Sequence, residues 1–112
     1  MHPHNNVQTV WVYEVGDAFI EQFKAAYGPG GKWERLFRHC SGYIKSMLLQ
    51  DLDNPNRFIT IDCWQSHTAL DSMIHIVAPE YEYLEKRCEA FTTSENHIGI
   101  FELIDHWDEQ NV

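Results

Sequence analysis

The residues best suited to chemistry sit in "TIDCWQS" (60 to 66), where a carboxylate, Asp62, lies two residues before a tryptophan, Trp64. Alternate residues of a strand share a face, so Phe58, Thr60, Asp62 and Trp64 point one way and Ile59, Ile61 and Cys63 the other. Near the N-terminus, "VQTVWVYEV" (7 to 15) divides in the same way, with Thr9, Trp11 and Tyr13 against Val10 and Val12. Trp11, Tyr13, Phe58 and Trp64 are fitted to stack a flat ring, and Thr60 adds a hydroxyl. A carboxylate buried among such rings has its pKa raised toward a range useful for taking a proton, which makes Asp62 the general-base candidate. Arg87, or its neighbour Lys86, is the cation that could steady the resulting anion. The plainer readings are a tryptophan that is core rather than wall, and a carboxylate held by an amide, a lysine or water.

Other polar groups carry less. His67, Asp71 and His75 fall at i, i+4 and i+8 on one helix flank; a solvated flank is expected there, and no metal. Cys40, Cys63 and Cys88 are odd in number, widely spaced and without C-x-x-C, which fits buried thiols in a reducing cytoplasm rather than a disulfide framework. The chain of 112 residues has 17 acidic against 8 basic side chains, a net charge of −9 that repels nucleic acid. It is 44% hydrophobic and 13% aromatic, hence globular. No apolar run reaches membrane-spanning length, and "MHPHNN" lacks a secretory pattern.

The elements that must position these residues read in order. After the first strand, "GDAFIEQFKAAY" takes a helical period, with Asp17 placed to cap it. "GPGG" (28 to 31) breaks that helix and "KWERLFRHC" resumes it. "GYIKSMLLQDL" and "RFITIDCW" form a hairpin about the turn "DNPN" (53 to 56). Ser66 caps the next helix, Pro79 marks a restart, and "EYEYLEKRCEAF" continues it. "HIGIFELI" (97 to 104) is the last strand, and "DHWDEQNV" an acidic polar tail. The order β-α-β-β-α-β predicts an α+β, ferredoxin-like domain spanning 1–112 with its core at about 7–105: a four-stranded antiparallel sheet with helices on one face. The compact apolar set Val10, Val12, Ile59, Ile61 and Cys63 then needs a cover that a second copy would supply.

On "FKAAYGPGGKWERLFRHCSGY" (23 to 43), "LLQDLDNPNRFITIDCWQS" (48 to 66) and "YEYLEKRCEAF" (81 to 91), the chain resembles the antibiotic biosynthesis monooxygenase family of the dimeric α/β-barrel superfamily, from about Val7 to Ile104. The resemblance implies a homodimer with sheets packed face to face, and a pocket between each sheet and its helices. It also implies a cofactor-independent monooxygenase in which Trp64 matches the pocket tryptophan and Arg87 the second-helix arginine. Thr60 stands where those enzymes have asparagine, and Leu70 where they have tyrosine. The first strand lacks the asparagine, and the second helix the histidine, of the haem-degrading branch. The expected substrate is a small aromatic, quinol or anthrone, oxidised without metal or other cofactor. The alternative is a non-catalytic homodimer that binds a small hydrophobic ligand or a partner.

Overall fold

The computed structural model describes residues 5–105; His2, His4, His106 and the rest of the acidic tail lie outside them. Four strands, β1 (Asn5–Val15), β2 (Tyr43–Gln50), β3 (Arg57–Ser66) and β4 (Thr92–Glu102), form one antiparallel sheet in the order β2-β3-β1-β4. Between β1 and β2 run a 3₁₀ turn (Asp17–Phe19), α1 (Ile20–Tyr27) and α2 (Lys32–Phe37); between β3 and β4 run α3 (His67–Ile76) and α4 (Ala78–Glu89). This is the ferredoxin-like arrangement expected.

Register fixes the two faces. Tyr13 pairs with Phe58 and Trp11 with Thr60, while Val10 pairs with Ile61 and Val12 with Ile59. The helices lie over the first set. One core cluster joins Val7, Tyr43 and Trp64 of the sheet to Trp33, Phe37, Met73, Leu84 and Cys88, and a second joins Tyr13, Val15 and Phe58 to Phe23. Neither cluster draws on the opposite face, where Met47 and Leu49 align with Ile61 and Ile59 and stand 37% and 45% exposed.

Local chemistry explains most boundaries. Ser66 caps α3, its Oγ accepting from the Ala69 amide at 3.0 Å. Pro79 occupies the first turn of α4, where its missing N–H costs nothing. The β2–β3 turn is tied by the Asp51 carboxylate, which accepts from the Asp53 amide at 2.8 Å and from Arg57 Nη2 at 2.8 Å. The first helix does break at 28–31: Gly30 has φ +74°, and a side chain on Gly31 would run into the carbonyl oxygens of Ala25 and Ala26. Two expectations are corrected. Asp17 does not cap α1; it lies in the 3₁₀ turn and its carboxylate accepts from Asn56 Nδ2 at 2.7 Å. The last strand begins at Thr92, not His97.

The edges of the sheet are irregular. Pairing of β4 with β1 slips between Val10 and Trp11, at Ile98, and pairing of β2 with β3 slips between Tyr43 and Lys45.

Candidate active site

The mixed face of the sheet and the underside of the helices enclose a cavity. From the sheet come Trp11, Tyr13, Ser46, Thr60, Asp62 and Glu95; from the helices come Tyr27, Trp33, Glu34, Phe37, Tyr81 and Glu85. Beyond the break at 28–31, α2 carries Trp33, Glu34 and Phe37 into the lining. The helix rings lock one another, Tyr27 lying 5.8 Å from Trp33 and Tyr81 edge-on to Trp33 at 5.2 Å. Trp11 is held by His97, stacked at 4.6 Å, and His97 Nε2 in turn lies 2.8 Å from Thr9 Oγ1. The enclosed volume is about 50 Å³.

Asp62 is the one strand carboxylate of β3 facing this space. Ser46 Oγ donates to Asp62 Oδ1 at 2.6 Å. With its only proton committed there, Ser46 Oγ accepts from the Tyr43 hydroxyl at 2.7 Å, so an oriented chain runs Tyr43 to Ser46 to Asp62. Burial pushes the Asp62 carboxyl up to about 6, against the downward pull of the Ser46 bond. Burial likewise raises the Tyr13 and Tyr27 phenols, and takes Tyr81 up to about 12 with the help of Glu85 and Asp62. The Glu95 carboxyl is raised by burial and by Glu85 and Glu89. The tyrosines therefore stay neutral at physiological pH, while Asp62 is poised to exchange a proton near it.

No protein-family model matches the sequence, and no curated protein matches it. Solved structures do. SnoaB from Streptomyces nogalater, a cofactor-independent oxygenase, superposes with a TM-score of 0.73 at 20% identity, over 94% of this chain and 99% of that one. A candidate antibiotic biosynthesis monooxygenase from Nitrosomonas europaea gives 0.71 at 17% identity, covering 93% and 94%. Another from Deinococcus radiodurans gives 0.72 at 12% identity, covering 91% and 96%. The chain shares the ferredoxin-like fold of these proteins.

Within this fold the expected site residues separate. Trp11, Tyr13, Thr60 and Asp62 meet in the cavity. Phe58 and Trp64 do not line it: Phe58 packs on Phe23 at 5.0 Å, and Trp64 is wholly buried, edge-on to Phe37 and Tyr43 at 5.4 and 5.3 Å. They are the packing behind the wall. Arg87 lies apart from the cavity. Its guanidinium sits over the Tyr83 ring at 5.7 Å and faces a cleft between α1, α2 and α4 that Lys32 and Arg35 also line. Lys86 is exposed on α4 and does not line the cavity either. Ser46, Glu85 and Glu95 were not foreseen. Ser46 carried one legible signal, its place on the same face of β2 as Leu48; Glu95 had none, since "TTSEN" reads as a loop.

The other polar candidates resolve simply. His67 Nδ1 lies 3.1 Å from Asp71 Oδ2, and among the described residues no group of three His, Cys, Asp or Glu could hold a metal ion. Cys40, Cys63 and Cys88 are buried and free, and burial pushes each thiol up, away from reactivity. Among the described residues no helix is long and apolar enough to cross a membrane.

Proposed function

We propose that the chain is a monooxygenase that acts, as a homodimer, on a small electron-rich aromatic molecule held over Asp62. The observation that carries this is the Asp62 carboxyl, raised to about 6 and aligned by Ser46 beneath a roof of aromatic rings. A base with that pKa is largely ionised at neutrality yet basic enough to take a phenolic or enolic proton efficiently. The anion so formed is a strong enough reductant to pass one electron to O₂. Recombination of the two radicals forms a carbon–oxygen bond as a peroxide. Loss of the ring hydrogen with cleavage of the O–O bond then leaves a carbonyl and releases water, so the substrate supplies every electron. The protein's part is to bind the ring, hold the proton on Asp62 and keep bulk water from the intermediate.

The volume favours a second reading, a ligand binder without turnover. About 50 Å³ is well short of the ~150 Å³ that admits a benzene ring. A ring enters this cavity only when a wall moves, and half-buried Trp11, Tyr27 and Tyr81 are the walls with room to do so. Incubation with a panel of anthrones, quinols and flavonoids separates the two. Oxygen uptake with quinone formation supports the oxygenase; saturable binding without uptake supports the binder.

A further inference from the structure

We infer that the molecule this cavity takes carries a positive charge, a protonated amine beside its ring. The inference rests on the reading above only in treating the same cavity as the ligand site. Four carboxylates line the space, Asp62 on β3, Glu34 on α2, and the exposed Glu85 on α4 and Glu95 on β4; no Lys, Arg or His lines it. Glu34 is engaged outward with Arg38 at 3.3 Å, and Asp62 receives a hydrogen bond from Ser46, but no cation in the lining balances Asp62, Glu85 or Glu95.

The walls give an independent reason. Trp11, Tyr13, Tyr27, Trp33 and Tyr81 surround the same space, and their electron-rich faces attract a cation most strongly where water is excluded. An anionic ligand would meet like charge on several sides and find only uncharged donors in the lining, hydroxyls and the indole N–H groups of Trp11 and Trp33. A deprotonated phenol poses the same difficulty, since the arginine that would steady it, Arg87, faces a different cleft. A substrate that brings its own ammonium group resolves this. The ring hydroxyl addresses Asp62, the ammonium lies toward Glu85 and Glu95, and the anion formed on deprotonation is paired within the same molecule.

Three phenols of matched size test the charge alone: tyramine, which is a cation at pH 7.5, neutral 4-ethylphenol, and anionic 4-hydroxyphenylacetate. Calorimetric titration of the purified protein is expected to give tyramine a dissociation constant at least about ten-fold below that of 4-ethylphenol, with 4-hydroxyphenylacetate weakest. In E85Q/E95Q, a change at two exposed positions, the preference for tyramine is expected to shrink to within about two-fold. Equal binding of tyramine and 4-ethylphenol, a preference for the carboxylate, absence of tyramine binding, or an undiminished preference in the double variant would each overturn the inference. Because the readout is binding, an intact preference without oxygen uptake sinks the oxygenase alone, and oxygen uptake without the preference sinks this inference alone.

Discussion

Burial of Asp62 acts on catalysis and on stability in opposite directions. The native carboxyl keeps its proton up to about pH 6, whereas the unfolded one releases it from about 3.8. Between those values the folded protein binds more protons, so this group makes stability fall as pH rises through the window. Asp62→Asn should therefore raise the midpoint of urea unfolding at pH 7.5, by on the order of 1–3 kcal/mol in stability, and flatten the dependence between pH 4 and 6. The same variant should lose oxygenation by about 10²–10⁴-fold, and the parent's rate should climb with pH along a limb centred near 6. An unchanged rate in the variant would remove Asp62 from the base role. Trp64 behaves differently from what its position beside Asp62 suggests. At zero exposure, its replacement by Phe should cost about 1–3 kcal/mol in denaturant titration and leave ligand affinity nearly unchanged. The loss is tempered because the indole N–H has no hydrogen-bond partner to forfeit. Strand alternation made the face of Trp64 legible, but not its depth along that face: that depends on α2 dropping Phe37 onto it, a contact between residues 27 apart in sequence.

Elements were legible where a local rule dominates and obscure where a distant partner decides. Ser66 caps α3 because everything the cap needs lies within three residues. Asp17 looked equally apt, yet Asn56, 39 residues away, takes its carboxylate, and the chain opens with a 3₁₀ turn instead. The segment 92–96 is too polar to read as a strand. It becomes one because β4 lies at the sheet edge, pairing only with β1 through Glu14–Ser94 and Tyr13–Glu95, and an edge tolerates polar side chains. The break between α1 and α2 is the element-level feature most open to test. Gly31 is buried, and an added methyl meets two backbone carbonyls that no side-chain rotation can move. Gly31→Ala should lower stability by roughly 2 kcal/mol or more, read as a lower melting temperature, and weaken ligand binding by lifting α2 from the cavity.

For the molecule as a whole, the outer face of the sheet is the dominant fact. Val10, Val12, Ile59, Ile61, Met47 and Leu49 form an apolar surface to which neither core cluster contributes. Exposed apolar surface of this kind marks an association site, and a second copy packing sheet to sheet fits it. Light scattering at micromolar concentration should report a dimer, and Ile61→Asp should leave a monomer or an insoluble chain, because one buried unpaired charge per subunit costs several kcal/mol. A monomeric parent would defeat the proposal. The slipped registers at the two outermost strands bear on how such a molecule avoids a worse fate. Among the described residues β2 and β4 are the outermost strands, and the outer rim of such a strand is the template on which ribbons and fibrils grow. The irregularity at Ile98, beside Gly99, and the one before Lys45 twist those rims and interrupt their spacing. Side-by-side growth is disfavoured at both rims, which leaves the apolar outer face as the surface on which a second copy is expected to pack and the assembly to stop.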